Sequence, residues 1–243
     1  MCTVSFIPGS QSVLIAHSRD EKSTRGRAFP PRQYELNGTS LLFPRDTTAG
    51  GTWVALNDRG DAAALLNGAY HNHIPAPPYR QSRGIVFLDI FSAPDPVQHF
   101  QQLDLAGIEP FTLVIWSRET LYDGRWDGTE KHLSRPDPAK PHIWASVTLY
   151  NKTIYAKRER WFNHWLQQQP ALTPDTLLDF HLNAGEGDPE TDLKMNLADE
   201  LFTVSITVMQ LGSGKGAMEY LDTRDDHRSL LELPISQPAV LVP

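Results

Sequence analysis

The chain is built from short apolar runs separated by turn residues, and this spacing is what most limits its fold. It opens with CTVSFI at 2–7 and VLIA at 13–16, separated by the turn tetrapeptide PGSQ. Short apolar runs bounded by Gly, Pro and Ser predict β-strands, and a short turn between two of them predicts a β-hairpin. The second strand runs into the polar segment 17–21, so any chemistry carried by that segment lies at the end of a hairpin.

The same pattern continued along the chain predicts strands towards both ends and helices in the middle. Ser82 and Asp95 are predicted N-caps, since Asp95 precedes a proline and Ser82 precedes apolar residues at helical spacing. Further strands are predicted at 41–43, 53–57, 62–67, 111–117, 119–126, 202–211, 217–221 and 230–233, further helices at 154–168 and from Thr173 to a C-cap at Gly185, and loops at 22–32, 133–141 and 186–192. This order is typical of an antiparallel α+β layer fold. No repeat and no change of composition marks a second domain, so we expect one domain over residues 1–243.

Charge and cysteine content exclude several classes of protein. The 22 Lys and Arg against 29 Asp and Glu give a formal net charge of -7, which argues against binding nucleic acid through phosphate contacts. The apolar run FTLVIW at 111–116 is far shorter than the ~18 residues that cross a bilayer, and the first residues lack the basic and apolar regions of a secretory signal. A single cysteine allows no internal disulfide. We therefore expect a cytoplasmic protein with no integral membrane segment.

That single cysteine, Cys2, stands at the second position of the chain. Removal of Met1, which is usual before a small residue, would leave Cys2 with both a thiol and a free α-amine. An α-amine with a pKa of about 7.7–8.0 can act as the base for its own side-chain nucleophile. The alternative is that Cys2 is a small buried hydrophobe on an edge strand.

Arg19 and Asp20 end the strand that is predicted to form a hairpin with the strand of Cys2. Arg19 is expected to lower the pKa of the thiol by its fixed charge. Asp20 is expected to hold the α-amine by a charge-assisted hydrogen bond. The alternative is an ordinary surface ion pair at a strand end, which contributes little to stability.

Several segments resemble the NRDE-motif family, which is also called the transport and Golgi organisation protein 2 family. The resembling residues are Cys2, SRDE at 18–21, RDTTAGGTW at 45–53 and LNDRGDAAALLN at 56–67, followed by looser matches at 144–150 and 203–207. The family's motif has Asn where this chain has Ser18. The resemblance implies ligand-binding roles for Glu21, Arg45, Gly50, Gly51, Trp53 and Ser146.

The same opening is similar, more distantly, to the choloylglycine hydrolase and penicillin V acylase group of N-terminal-nucleophile hydrolases. By that resemblance the fold is a four-layer αββα sandwich with antiparallel sheets. Cys2 would be the nucleophile, Arg19 and Asp20 its electrostatic partners, and Asn67 an oxyanion donor. The later Asn and Arg of those enzymes fall nearest to Ser146 or Thr148 and to Arg158 or Arg160.

Two functions follow from these resemblances. The first is a cysteine amidohydrolase that cleaves the C–N bond of an acyl amide. The second is a non-catalytic protein that binds or carries haem or an acyl-CoA-type lipid in the same cleft. We expect a small-molecule ligand in either case, no cofactor and no nucleic acid, and the sequence predicts no oligomeric state.

Three further motifs give weaker signals. His71 and His73 have the spacing of a ligand pair, but no third ligand lies nearby, so no metal site is predicted. The glycines Gly50 and Gly51 permit either a close ligand approach or a tight turn. The segment GSGKG at 212–216 lacks the spacing of a phosphate-binding loop and is predicted to be a hairpin turn.

Overall fold

The computed structural model describes residues 2–212 and 214–236, which form fourteen strands and four helices. In chain order these elements are β1 (Cys2–Pro8), β2 (Ser12–Lys22), β3 (Phe29–Leu36), β4 (Thr39–Arg45), β5 (Val54–Asn57), β6 (Ala62–Asn67), α1 (Arg83–Ser92), α2 (Pro96–Gln102), β7 (Phe111–Ser117), β8 (Thr120–Trp126), β9 (Lys131–Ser134), β10 (His142–Ala145), α3 (Lys152–Gln168), α4 (Pro174–Asn183), β11 (Asn196–Leu197), β12 (Leu201–Gly212), β13 (Lys215–Asp222) and β14 (His227–Pro234).

The strands form two sheets, and every pairing in both is antiparallel. The first sheet has the order β10-β1-β2-β12-β13-β14, with β11 beside β12. The second has the chain order β3-β4-β5-β6-β7-β8-β9. The predicted hairpin of β1 and β2 is therefore confirmed, and it occupies the interior of the first sheet rather than an edge.

The two sheets pack face to face, with helices on the outside of each. Val4 and Phe6 of the first sheet share one apolar core with Leu56 and Val114 of the second. Helices α1 and α2 cover β6 and β7 of the second sheet, and α3 and α4 cover β10, β2 and β12 of the first. The order of layers is helix, sheet, sheet, helix, so the expected α+β sandwich with antiparallel sheets is confirmed.

The predicted helix starts are also confirmed. The Ser82 hydroxyl accepts a hydrogen bond from the Ile85 amide, and an Asp95 carboxylate oxygen accepts one from the Gln98 amide at 2.9 Å. These side chains satisfy backbone N–H groups that a helix leaves without a partner at its start. None of the helices in the described part of the chain is long and apolar enough to cross a bilayer.

Three local predictions were wrong. The predicted loop 22–32 contains the start of β3, which tolerates Pro30 and Pro31 because it is an edge strand with a bulge there. The predicted loop 133–141 contains the end of β9. Helix α4 ends with Ala184 as its C-cap, while Gly185 lies against Asp192, where an added Cβ would come within 2.1 Å of the carboxylate.

The segment GSGKG is a hairpin turn, as predicted. Gly212 and Lys215 face each other where β12 and β13 meet. Ser213 lies outside the described residues.

Candidate active site

Cys2 is the first residue of β1 and lies directly opposite Arg19 of β2 in the antiparallel register. Directly opposed residues project from the same face of a sheet with their Cβ atoms about 5 Å apart. The face is the one turned towards the second sheet, since Cys2 belongs to the core that the two sheets share. The thiol is almost fully buried, with 4% of the residue exposed.

Cys2 and Arg19 line a cleft with a volume of about 790 Å³. It lies where the N-terminal end of the first sheet meets the loop 46–53, the end of β6 and the start of α1. The other residues that line it include Glu21, Arg25, Asp46, Gly51, Trp53, Asn67, Asn72, His73, Arg83, Gly84, Glu109 and Thr148.

Arg19 is held in this cleft by a carboxylate and an aromatic ring. Its Nη2 lies 2.6 Å from Asp46 Oδ2, and its guanidinium carbon lies 4.0 Å from the centroid of the Trp53 ring. Asp46 also accepts hydrogen bonds from Arg25 at 3.0 and 3.1 Å. Burial alone would raise the pKa of Asp46, but the bonds from Arg25 and the Ala49 amide and the charge of Arg19 outweigh it and lower that pKa. Asp46 is therefore an anion that fixes Arg19 beside Cys2.

The pKa of the Cys2 thiol is raised, because burial disfavours the thiolate and the nearby Asp20 carboxylate adds to that effect. The charge of Arg19 and a hydrogen bond from the Asp20 backbone N–H to the sulfur act in the opposite direction. Arg19 thus has the effect expected from the sequence, but burial outweighs it. A thiol in this state needs a base before it can act as a nucleophile.

The Asp20 side chain does not line the cleft. Successive side chains of a strand point to opposite faces, and Asp20 faces the helix layer, where it accepts hydrogen bonds from Tyr150 Oη and Thr203 Oγ1, each at 2.6 Å. Burial raises the pKa of Asp20, opposed by the charge of Arg158 and by these two hydrogen bonds. Of the four catalytic residues that the resemblance implies, Cys2, Arg19 and Asn67 open on the cleft, whereas Asp20 acts on the thiol through its backbone N–H and its charge.

Arg158 rather than Arg160 is the buried arginine of this region. It is fully buried on α3, and its guanidinium carbon lies 3.7 Å from the centroid of the Tyr150 ring. It donates hydrogen bonds to Thr3 Oγ1 and to the Asp192 carbonyl, whereas Arg160 is exposed. The sequence holds one signal for this choice, because Arg158 lies four residues before the buried Phe162 and so shares its face of the helix.

Asn67 ends β6, and its position relative to Cys2 is fixed by Ser146. The Ser146 amide donates to the Cys2 carbonyl at 2.9 Å, and the Ser146 hydroxyl donates to the Asn67 carbonyl at 2.7 Å. Gly68 turns the chain directly after Asn67 at φ +80°, and a Cβ there would come within 2.6 Å of Val147. Among the described residues, the Asn67 side-chain amide has no hydrogen-bond partner, so it is available to a bound molecule. Ser146 does not line the cleft itself, but Thr148 does.

The glycine segment packs against helix α1. A Cβ on Gly51 would lie 2.3 Å from the Gly84 carbonyl carbon, and one on Gly84 would lie 2.8 Å from the Thr52 oxygen. The two glycines therefore allow the loop and the helix start to touch backbone to backbone. Gly50, at φ +74°, donates its N–H to the Asp46 carbonyl at 3.0 Å, and this turn supports the tight-turn alternative. Gly51 lines the cleft, but Gly50 and the exposed Arg45, whose Nε donates to the Gly50 carbonyl at 3.1 Å, do not.

The opposite wall carries a charged group that the sequence analysis did not single out. Glu109 forms an ion pair with Arg83 at 3.1 Å, and its other carboxylate oxygen shares a hydrogen bond with His73 Nε2 at 3.1 Å. Burial lowers the pKa of Arg83, opposed by the charge of Glu109 and less strongly by Cys2. His71 is exposed, and within the described ranges no three His, Cys, Asp or Glu side chains are grouped to hold a metal ion.

Together these residues place one thiol, a fixed guanidinium and an uncommitted side-chain amide on the same cleft. This is the combination that acyl transfer to a cysteine uses: a nucleophile, a charge that favours its thiolate, and a donor for an oxyanion.

Two solved structures with a similar fold are described as hydrolases. A variant of the conjugated bile acid hydrolase from Clostridium perfringens aligns with a TM-score of 0.59 at 10% sequence identity, over 99% of this chain and 100% of that chain. The Caenorhabditis elegans orthologue of N-acylethanolamine-hydrolyzing acid amidase aligns with a TM-score of 0.57 at 11% identity, over 86% of this chain and 92% of that chain. Identities this low show a shared fold alone, and that fold is the one of the N-terminal-nucleophile hydrolases.

Sequence comparison gives one family and no individual relative. The profile of the family described as Transport and Golgi organisation 2 matches residues 1–209. No curated protein sequence matches the chain.

Proposed function

The chain belongs to the Transport and Golgi organisation 2 family, and from that premise we propose that it is a cysteine amidohydrolase. The proposed reaction is hydrolysis of the C–N bond of an acyl amide, with Cys2 as the nucleophile. The observation that carries the proposal is the opposition of Cys2 and Arg19 on the floor of a cleft that Asn67 also lines.

The proposed nucleophile needs removal of Met1, which would leave the α-amine on Cys2 itself. The raised pKa of the buried thiol supports this requirement, because little thiolate forms at neutral pH without a base. An α-amine has a pKa of about 7.7–8.0 and is the nearest base that the chain can offer to this sulfur. The Asp20 carboxylate would hold the amine, since its charge already acts on Cys2 from the other face of the strand.

Acylation begins when the α-amine takes the proton of the Cys2 thiol. The thiolate attacks the carbonyl carbon of the amide, forming the S–C bond, and the carbonyl oxygen becomes an oxyanion. The Asn67 side-chain N–H groups donate hydrogen bonds to this oxygen. These bonds are stronger to the oxyanion than to the carbonyl oxygen of the ground state, so they favour the transition state. The C–N bond then breaks as the α-ammonium returns its proton to the leaving nitrogen, so that the free amine departs and a thioester remains on Cys2.

Deacylation uses the same groups with water as the nucleophile. The α-amine takes a proton from water, and the resulting hydroxide adds to the thioester carbonyl carbon, with its oxyanion again held by Asn67. The S–C bond breaks, the sulfur takes back the proton from the α-ammonium, and the carboxylic acid leaves. Throughout both steps Arg19, itself anchored by Asp46, favours the thiolate.

The reaction is tested by turnover of a panel of acyl amides with different acyl lengths and amine groups, followed by release of the free amine. Wild type is expected to release amine from at least one member, and Cys2→Ser to release none above background. The variant nearly preserves volume, so equal thermal unfolding of the two proteins serves as the control. Tight binding of haem or an acyl-CoA lipid by both proteins, with no turnover by either, would reject the hydrolase and favour the binding protein.

A further inference from the structure

A second cavity of about 730 Å³ opens beside the cleft and shares two of its lining residues, Asn72 and Thr148. The Thr148 hydroxyl lies 3.0 Å from the Ser146 hydroxyl, which bonds the Asn67 carbonyl. This second cavity, called the side lobe below, therefore begins one side chain away from the proposed oxyanion donor. A molecule bound at Cys2 can extend into it.

Four large aromatic side chains line the side lobe, Tyr70, Trp144, Tyr150 and Tyr155, together with aliphatic and small polar side chains. Trp144 Nε1 donates to Asp123 at 3.1 Å, Tyr150 Oη donates to Asp20 at 2.6 Å, and Tyr155 Oη donates to the Ile143 carbonyl at 2.9 Å. Each of these three polar groups is thus satisfied by the protein, so these side chains offer a ligand ring surface rather than a donor. Aromatic rings prefer offset or edge contacts with other rings, which an aryl group supplies and a saturated chain does not.

Tyr70 extends this aromatic wall to the solvent. It is 47% exposed, although it is a large side chain, and the guanidinium carbon of Arg125 lies 4.7 Å from its ring centroid. Its other ring contact is edge-on to His132 at 5.3 Å. An exposed ring held by two neighbours presents a fixed surface to a ligand.

The charge of the side lobe has one sign. Arg125, Lys152 and no carboxylate side chain line it. The Arg125 charge is balanced by Asp123, which it contacts at 2.6 and 2.7 Å. Lys152 is exposed and makes no ion pair within the described residues, so its ammonium is the charge available to a ligand. A lobe with ring walls and an available cation complements an aromatic group that carries an anionic substituent.

We propose that the side lobe is the subsite for an aromatic, anionic end of the amide substrate, with Tyr70 and Trp144 contacting the ring and Lys152 pairing with the anion. This inference rests on the proposed hydrolysis for the identity of the ligand as a substrate. The binding itself requires only the lobe, so it is measured without any reaction.

The experiment uses the full chain with Cys2→Ser, so that no turnover interferes, and compares 2-naphthoate with 2-naphthamide by isothermal titration calorimetry. The two probes have the same ring and differ in charge. We expect 2-naphthoate to bind about fivefold more tightly, as one partly exposed ion pair would produce. Adding Lys152→Ala should remove that preference without weakening 2-naphthamide, whereas Tyr70→Ala should weaken both probes about tenfold.

Lys140→Ala is the matched control, because Lys140 is an exposed lysine that does not line the lobe, and it should change neither affinity. Equal affinity for the two probes, or a preference that survives Lys152→Ala, would overturn the proposal. Loss of 2-naphthoate binding in Lys140→Ala would also overturn it. Selective binding that depends on Lys152, found together with no amide turnover by wild type, would reject the proposed reaction and leave the subsite intact. Amide turnover by wild type, found together with equal binding of the two probes, would reject the subsite and leave the proposed reaction intact.

Discussion

Cys2 and Arg19 are direct partners in the register of β1 and β2, so the thiol and the guanidinium leave the same face of the first sheet side by side. The next residue, Asp20, leaves the opposite face and bonds Tyr150 and Thr203. One strand therefore presents a cation to the thiol on the cleft side and a carboxylate beneath it on the helix side. The proposed chemistry depends on both, since the first favours the thiolate and the second would hold the amine.

Removing Arg19 is expected to slow alkylation of Cys2. Arg19→Ala deletes a charge that lowers the pKa of the thiol, so less thiolate is present at any pH below that pKa. We expect the iodoacetamide rate at pH 8 to fall about fivefold, equivalent to ~1 kcal/mol. Arg25→Ala is the matched control, because Arg25 also bonds Asp46 but is not among the charges that act on the thiol. An equal slowing in both variants would show that Asp46, not Arg19, controls the thiol.

The alkylation rate of wild type should also depend on pH in a defined way. Burial raises the pKa of Cys2 above its ordinary value of 9.0, so the thiolate fraction is smaller at neutral pH than in an exposed thiol. We expect wild type to react more slowly than a model thiol at pH 7 and to keep accelerating beyond pH 9. A plateau of the wild-type rate reached below pH 8 would contradict this.

Asn67→Ala is expected to reduce kcat of the proposed reaction by about 10²–10³ and to leave KM nearly unchanged, because the donor acts mainly on the oxyanion. The fold should tolerate the change, since the Ser146 hydroxyl bonds the backbone carbonyl of residue 67 rather than its side chain. Asn163→Ala, at an exposed site on α3, is the control. A rise in KM with unchanged kcat would assign Asn67 to ground-state binding instead.

Arg158 and Arg160 provide a matched pair for stability. Arg158→Gln leaves the buried Asp20 without its compensating charge, and breaking a buried charge arrangement typically costs about 3–5 kcal/mol. Arg160→Gln changes an exposed residue two positions away and should alter the free energy of unfolding by less than about 0.5 kcal/mol. Urea unfolding measures both. Equal values for the two variants would show that Arg158 does not stabilise this region.

Two buried histidines predict an acid-sensitive fold. Burial lowers the pKa of His17 to about 4 and that of His181 to about 3, so both stay neutral in the folded chain while the unfolded chain takes up protons below pH 6.5. Stability is therefore full above pH 6.5 and is lost as pH falls. Each histidine should remove about 1.6 kcal/mol between pH 6.5 and pH 5, because the slope rises towards about 1.4 kcal/mol per pH unit as the unfolded histidine becomes protonated. In His17→Gln the loss over that interval should shrink by about half, whereas His227→Gln, at an exposed site, should leave it unchanged.

The sequence correctly predicted those turns, helix starts and strands that depend only on residues close together in the chain. The turn after Pro8, the N-caps at Ser82 and Asp95, and the strand ending at Asn67 depend on neighbours in the chain, and all appear as expected. The strand over Pro30 was missed because its edge position, which tolerates prolines, is a property of the whole sheet.

In the candidate site, too, features set by nearby residues were predicted and features set by the whole fold were missed. The resemblance implied a shared site for Cys2, Arg19 and Asn67, and all three line one cleft. Asp20 follows Arg19 in the same strand, so its side chain lies on the other face of the sheet. The sequence analysis did not apply this alternation to Asp20. Glu109 and Arg83 were missed because they meet across elements far apart in the chain, without any shared motif. The contribution of burial to the pKa of Cys2 was missed for a related reason, because a sequence shows the charge of Arg19 but not the loss of water around the thiol.

The central claim is that Cys2 is an N-terminal nucleophile, and intact-mass spectrometry of the protein quenched in acid during turnover tests it most directly. Because the chain has one cysteine, any thioester adduct reports on Cys2 alone. We predict a chain that lacks Met1 and gains the mass of one acyl group, with no such gain in Cys2→Ser. A chain that retains Met1, or one that turns over an amide without ever carrying an acyl group, would contradict the account.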